Sequence, residues 1–253
     1  LPDSQFSLQD KVAVVTGAAR GIGRALCFAL ARAQAGVVLL GRDAAALAAT
    51  QAEIEAAGGS AMHLCGDVRD PAAIDAAFES ALRWRGRIDI LVNNAGIERA
   101  GASLEVSEAL WNQIVDTNLK GAFFCAQAAA RRMPHGGSIL NLCSLTSEVG
   151  IAGAAPYGAS KAGLAGLTRA LATEWAVKRI RVNGIGPGYF RTAMTEGFYA
   201  DANWQQTTLQ KIPLGRFGRL EDLGGAAVFL SSDAASYITG QVLYIDGGML
   251  ASL

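Results

Sequence analysis

Residues 11–23 read KVAVVTGAARGIG, an apolar run that passes straight into a cluster of glycines where a helical pattern begins. A run of Val and Ala without polar alternation suits a strand covered on both faces. Gly17, Gly21 and Gly23, with Ile22 between the last two, let the backbone turn tightly and approach a pyrophosphate, which the free amides and dipole of the following helix favour. A turn that binds nothing is the alternative reading. Its place between the first strand and the first helix argues for a dinucleotide.

The same pattern continues outward along the chain. Further strand-like runs occupy 36–41 (GVVLLG), 60–68, 88–94, 137–144, 179–186 and 241–246, which makes seven. Alanine-rich helical stretches lie between them at 21–34, 43–57, 71–84, 107–133, 157–178 and 220–231, most opened by Asp, Ser or Pro. Such alternation implies parallel strands joined by right-handed crossovers. With no Pro- or Ser-rich linker, the reading is one α/β domain over 1–253, a Rossmann-type doubly wound parallel sheet of about seven strands with helices on both faces. Residues 187–218 break the rhythm and carry Phe198, Tyr199 and Trp204, as an aromatic-exposing lid or binding loop would.

About twenty residues after the glycine turn, a bound dinucleotide's ribose meets the end of the second strand, where an acidic residue would select NAD. This chain reads LLGRD there: Gly41 takes the acidic position, Arg42 follows, and Arg20 in the glycine turn offers a second cation for a 2′-phosphate. NADP(H) is favoured and NAD(H) is the alternative. Asp43 is a rival ribose ligand, but it precedes AAALAAT and reads as that helix's cap.

Residues 157–161, YGASK, put Tyr157 and Lys161 four positions apart, on one face of a helix. A tyrosine pKa must fall roughly three units from about 10 to exchange protons near neutrality, which needs about 4 kcal/mol. A cation about 5 Å away at an effective dielectric near 20 supplies roughly 3 kcal/mol. The pair therefore suits general acid/base work; a solvated Tyr and Lys on an exposed helix is the alternative.

Bulk properties narrow the function classes. Lys plus Arg number 22 and Asp plus Glu number 22, so no net charge steers the chain to nucleic acid or an anionic membrane. No apolar run reaches the 18 residues of a membrane span, and the start LPDSQFSLQDK lacks the basic and apolar regions of a secretory signal, so a cytoplasmic location is expected. Cys27, Cys65, Cys125 and Cys143 are scattered and read as small buried hydrophobes; His63 reads as core and His135 as loop, so no metal site is expected.

TGAARGIG, NNAG at 93–96, NLKG at 118–121, Ser144, YGASK and PGYFRT occur in that order, and in this the chain resembles the short-chain dehydrogenase/reductase family along essentially its whole length. SLTSE, EWA, GIGPGY and YIDGGML are most similar to the gluconate 5-dehydrogenase branch. The resemblance implies that Tyr157 exchanges a proton with the substrate oxygen, that Ser144 hydrogen-bonds the same oxygen, that Lys161 lowers the tyrosine pKa and binds the nicotinamide ribose, and that Asn118 places Lys161 through a water. It further implies contacts to adenine from Asp67 and Val68, a cofactor-lining role for Asn94, Ala95 and Gly96, and contacts to the nicotinamide from Ile185 to Gly188, including Pro187, and from Thr192. A homotetramer is expected on the same ground.

Sugar-acid relatives often carry paired basic residues after NNAG, whereas this chain reads IERAG, with Glu98 opposing Arg99. A carboxylate substrate wants a cation, and Arg99 and Arg191 are the candidates, with Ser144 and Tyr189 as further substrate contacts. The expected reaction is hydride exchange between NADP and a secondary alcohol or ketone, with a gluconate-type sugar acid as the specific expectation. A reductase of neutral ketones and a non-catalytic, cofactor-binding regulator are the alternatives. Cys143 is set aside as a nucleophile, since it points away from the face of its strand neighbour Ser144.

Overall fold

Strand β1 (Val12–Thr16) sends Ala13 and Val15 to one face of a sheet and Val12 and Val14 to the other, and all four are buried. Strand β2 (Gly36–Gly41) divides Val37 and Leu39 from Val38 and Leu40 in the same way. Both faces lie under helices, which is why the runs show no polar alternation.

The computed structural model describes residues 5–252; residues 1–4 and 253 of the expected domain lie outside the described residues. β1 and β2 are joined by β3 (Ser60–Cys65), β4 (Ile90–Asn93), β5 (Gly137–Leu142), β6 (Ile180–Pro187) and β7 (Val242–Ile245) in one sheet of order β3-β2-β1-β4-β5-β6-β7. Every neighbouring pair is parallel. The helices are α1 (Gly21–Arg32), α2 (Ala44–Ala56), α3 (Pro71–Arg85), α4 (Glu108–Val115), α5 (Gly121–Arg131), α6 (Ala155–Trp175), α7 (Glu196–Tyr199), α8 (Ala202–Leu209) and α9 (Glu221–Ser231). Leu26, Leu30, Leu47 and Leu223 of α1, α2 and α9 pack in one layer, and Phe78, Cys125, Ala129 and Leu171 of α3, α5 and α6 in the other. The strand order reverses between β1 and β4, so a crevice opens at their carboxyl ends, where open parallel sheets take ligands.

Four expectations need correction. The single helix at 107–133 is interrupted by a π-helical turn, Asp116–Lys120, which inserts an extra residue per turn between α4 and α5. The 187–218 segment does not expose all its aromatics: Trp204 packs against Tyr189, Phe198, Tyr199 and Phe217 at centroid distances of 5.3 to 5.9 Å, and Tyr199 is buried. Of the four cysteines, Cys65 is exposed at the end of edge strand β3; His63, on the same strand, is half-buried and hydrogen-bonds Gln51 at 2.7 Å instead of joining the core.

No helix among the described residues is long and apolar enough to cross a membrane, and no group of His, Cys, Asp and Glu among them could hold a metal ion.

Candidate active site

The glycine turn is built so closely that side chains cannot enter it. Gly17 has φ +65°, and a β-carbon on Gly23 would lie 2.3 Å from the Gly17 carbonyl oxygen. The NNAG segment braces this turn from β4: the Thr16 hydroxyl accepts from the amides of Asn94 and Ala95 at 3.0 Å each, and the Asn94 side-chain amide donates to the carbonyls of Thr16 and Gly17 at 2.9 and 3.1 Å. Unlike α2, α3 and α4, helix α1 has no side-chain cap, which leaves its first amides, including that of Ile22, for a bound group. Thr192 stands across the crevice, its methyl 3.6 Å from where a β-carbon on Gly21 would sit. Beside it, the Gly188 amide donates to the Ile245 carbonyl at 2.9 Å, closing Pro187 of β6 and the following Gly188 onto β7.

At the end of β2 the Arg20 and Arg42 guanidiniums are mostly exposed, held among the described residues by long ion pairs to Asp43 (3.5 Å) and Asp67 (3.9 Å). Exposed pairs of this kind contribute about 1 kcal/mol or less, so both cations can turn to a phosphate. Asp43 caps α2 by accepting from the Ala46 amide at 3.1 Å. Asp67 is clasped by Arg69, whose guanidinium holds its carboxyl below the usual range, and Val68 behind it is buried. The residues present fit a dinucleotide carrying a 2′-phosphate: a cradle only glycine tolerates, two available cations and no unpaired acid at Gly41.

The second half of the crevice brings together the four residues of the expected tetrad. Tyr157 and Lys161 lie in the first turns of α6, with the Lys161 ammonium 5.5 Å from the Tyr157 ring centroid and donating to the Leu142 carbonyl at 2.5 Å. Ser144 follows β5 close enough to the Tyr157 hydroxyl to influence its titration, and its own oxygen accepts from the Thr146 amide at 3.2 Å. Asn118, aimed by the π turn, accepts from the Ile97 amide at 2.8 Å and donates to the Ile97 carbonyl at 2.9 Å and to Ser160 at 3.1 Å. Gly96 lies among them: a β-carbon there would stand 3.4 Å from the Asn118 oxygen and 3.7 Å from the Lys161 nitrogen.

Electrostatically the pair behaves differently from the sequence arithmetic. Burial pushes the Tyr157 hydroxyl well above its ordinary pKa, Glu98 adds to the rise, and Ser144 opposes it. Lys161 is itself brought down to about 8 by burial, with Cys143 and Glu98 opposing. The arithmetic failed because it counted the attraction and omitted desolvation, which acts on both partners. Burial likewise lifts the Cys143 thiol to about 11, so it is no nucleophile near neutrality.

The depressed Lys161 pKa predicts a stability effect. Between pH 8 and 10 the unfolded chain holds a proton on this lysine that the folded chain has released, so stability rises with pH there, by up to about 1.4 kcal/mol per unit. Urea titrations from pH 7 to 10 should show this rise in the wild type relative to Lys161→Met; parallel profiles would contradict it.

Several working residues were not read from the sequence. Ser160 bridges Asn118 to the Tyr157 carbonyl, donating at 2.7 Å. Ser147 donates to the Lys161 carbonyl at 2.9 Å and accepts from the Ser144 amide, tying the serine loop to α6. A buried serine inside YGASK was the available signal for the first; none marked the second. Among the substrate candidates, Arg191 is engaged by Glu196 at 2.9 and 2.5 Å, Tyr189 is half-buried against Trp204, and Arg99 is exposed with no ion pair among the described residues.

A crevice with a glycine-lined cradle at one side and a cluster of half-buried Tyr157 and Ser144 with buried Lys161 and Asn118 at the other defines a nicotinamide-dependent oxidoreductase. A family described as enoyl-(acyl carrier protein) reductase matches residues 17–250. The chain is 46% identical to gluconate 5-dehydrogenase of Gluconobacter oxydans (strain 621H) over 98% of each, and 40% identical to 3-oxoacyl-[acyl-carrier-protein] reductase of Synechocystis sp. over 96% of this chain and 98% of that one. The crystal structure of a gluconate 5-dehydrogenase from Burkholderia cenocepacia J2315, in complex with NADP and tartrate, superposes with a TM-score of 0.96 at 37% identity, covering 98% of each chain. The chain belongs to the short-chain dehydrogenase/reductase family, whose members move a hydride between NAD(P) and a CH–OH or C=O carbon.

Proposed function

We propose that this chain is an NADP-dependent dehydrogenase of a sugar acid, of the gluconate/5-ketogluconate type. The observation that carries the reading is the gathering of Tyr157, Ser144, Lys161 and Asn118 around Gly96, opposite the glycine turn. The sugar-acid relative at 46% identity and the structure holding NADP and tartrate support the substrate class and the cofactor.

Bound NADP supplies or removes the hydride. The chain supplies the rest: Tyr157 passes a proton to or from the substrate oxygen, and Ser144 donates a hydrogen bond to that oxygen. Lys161, protonated at neutral pH, faces the nicotinamide ribose and steadies the phenolate when it forms. Asn118 holds the Ile97 backbone and, through Ser160, the first turn of α6, so the proton path keeps its geometry. Asp67 and Val68 flank the adenine, Asn94 to Gly96 line the cofactor, and Ile185 to Gly188 with Thr192 receive the nicotinamide. The 187–218 segment closes over the substrate as a lid, a homotetramer remains the expectation of the family resemblance, and a cytoplasmic location remains an expectation of the sequence reading.

Arg20 and Arg42 favour the 2′-phosphate. Arg42→Ala should lower kcat/KM for NADP about ten- to a hundredfold, as loss of a charge-assisted hydrogen bond does, with NAD much less affected. Equal losses with both cofactors would remove the phosphate role.

A second reading, a reductase of neutral ketones, is favoured by Glu98, whose charge stands beside the reacting pair. Steady-state rates on D-gluconate and on D-gluconamide, its uncharged counterpart, separate the two. The proposal expects gluconate to be preferred, with Arg99→Ala raising its KM about tenfold and leaving the amide's alone; preference for the amide would support the neutral reading.

A further inference from the structure

The loop from β4 to α4 is tied down at two points close to the reacting pair. Asn118 holds Ile97 by both its amide and its carbonyl, and the Gly101 amide donates to the Gly153 carbonyl at 2.9 Å, just ahead of α6. Glu98 stands between these anchors, two residues beyond the Gly96 that packs against Asn118 and Lys161. Its neighbour Arg99 is exposed while Glu98 is half-buried.

The Glu98 carboxylate has no hydrogen bond or ion pair among the described residues, although Lys161, Tyr157 and Tyr189 all lie within its electrostatic reach. Burial raises its pKa and Lys161 opposes the rise. A partly buried carboxylate without a donor is costly, and a carboxylate only accepts, so the group that completes it must be a donor such as a hydroxyl. A second carboxylate there would be repelled.

We infer that Glu98 accepts a hydrogen bond from a substrate hydroxyl next to the reacting carbon, selecting polyhydroxylated substrates over simple ketones and turning a sugar acid's own carboxylate away from Tyr157. This rests on the proposed sugar-acid reading and deepens it. It also resolves the opposition of signs in the pair Glu98–Arg99: the inner residue reads hydroxyls, and the outer, exposed one is left for the acid group.

The test is a cycle of protein and substrate deletions. Wild type, Glu98→Gln and Glu98→Ala are assayed on gluconate and on its 4-deoxy and 6-deoxy analogues, with NADPH binding followed by fluorescence to show that each variant is folded. The inference expects removal of one of these hydroxyls to lower wild-type kcat/KM at least tenfold, mostly through KM, and to cost less than about twofold in Glu98→Ala, with Glu98→Gln between. Equal deoxygenation penalties in all three proteins would overturn the inference alone. A wild type that turns over no polyhydroxylated substrate but reduces simple ketones would overturn the proposed function and this inference with it.

Discussion

Tyr157→Phe lowers kcat on the sugar acid about a thousandfold, while NADPH affinity stays within about twofold. The size follows from the role: a positioned acid/base contributes roughly 10²- to 10⁴-fold, or about 4 kcal/mol for a thousandfold, and the phenyl ring keeps the packing against Lys161 while losing only the oxygen. Fluorescence titration with NADPH beside steady-state kinetics separates loss of chemistry from loss of binding. A variant that keeps a tenth or more of the rate would take the proton-transfer role away from this residue.

Gly23→Ala carries the second large effect. Its new methyl would stand 2.3 Å from the Gly17 carbonyl oxygen and 2.4 Å from the Asn94 amide, so the turn, the brace from β4, or both must move. Overpacking of this kind costs about 1–3 kcal/mol, and the displaced turn should bind NADPH at least tenfold more weakly. Gly225→Ala is the control, an exposed position in α9 where a β-carbon meets nothing within 4 Å; there Ala should stabilise the helix by up to about 1 kcal/mol. Thermal melts and NADPH titrations of both variants check the contrast, and similar behaviour of the two would contradict the close packing at Gly23.

Most of the fold was legible because its strands are buried on both faces, and runs such as VAVVT and GVVLLG admit few other readings. Helix starts were legible where a side chain marks them: Asp43, Asp70 and Ser107 each accept from amides in the following turn. The π turn was not. DTNLK contains nothing that forbids a continuous α-helix, and the extra residue is specified by tertiary contacts: Asn118 reaches Ile97, and Gly121 packs against the Val68 carbonyl. The aromatic cluster was seen as composition, yet its packing around Trp204 depends on Phe217 and Tyr189, which come from opposite ends of the segment.

The candidate site was legible in its residue types and illegible in its balance of charge. YGASK and Ser144 named the cluster, but the expected fall in the Tyr157 pKa counted the attraction to Lys161 and left out desolvation. Lys161 is buried and Tyr157 half-buried, and desolvation moves tyrosine up and lysine down. The placement of Glu98 depends on the Asn118 clamp, a contact across 21 residues that no local pattern announces. The places of Arg42 and Arg20 at the end of β2 and in the glycine turn were legible because they follow from the strand and turn pattern itself.

The most direct test of the central claim is the fate of the hydrogen on the reacting carbon. D-Gluconate deuterated at C5 is incubated with NADP and the enzyme, and the reduced cofactor is weighed by mass spectrometry. The account predicts one deuterium in each NADPH formed, together with a slowed rate when chemistry limits turnover. Reduced cofactor without deuterium, or no reduced cofactor from gluconate under conditions where another alcohol supports turnover, would contradict it.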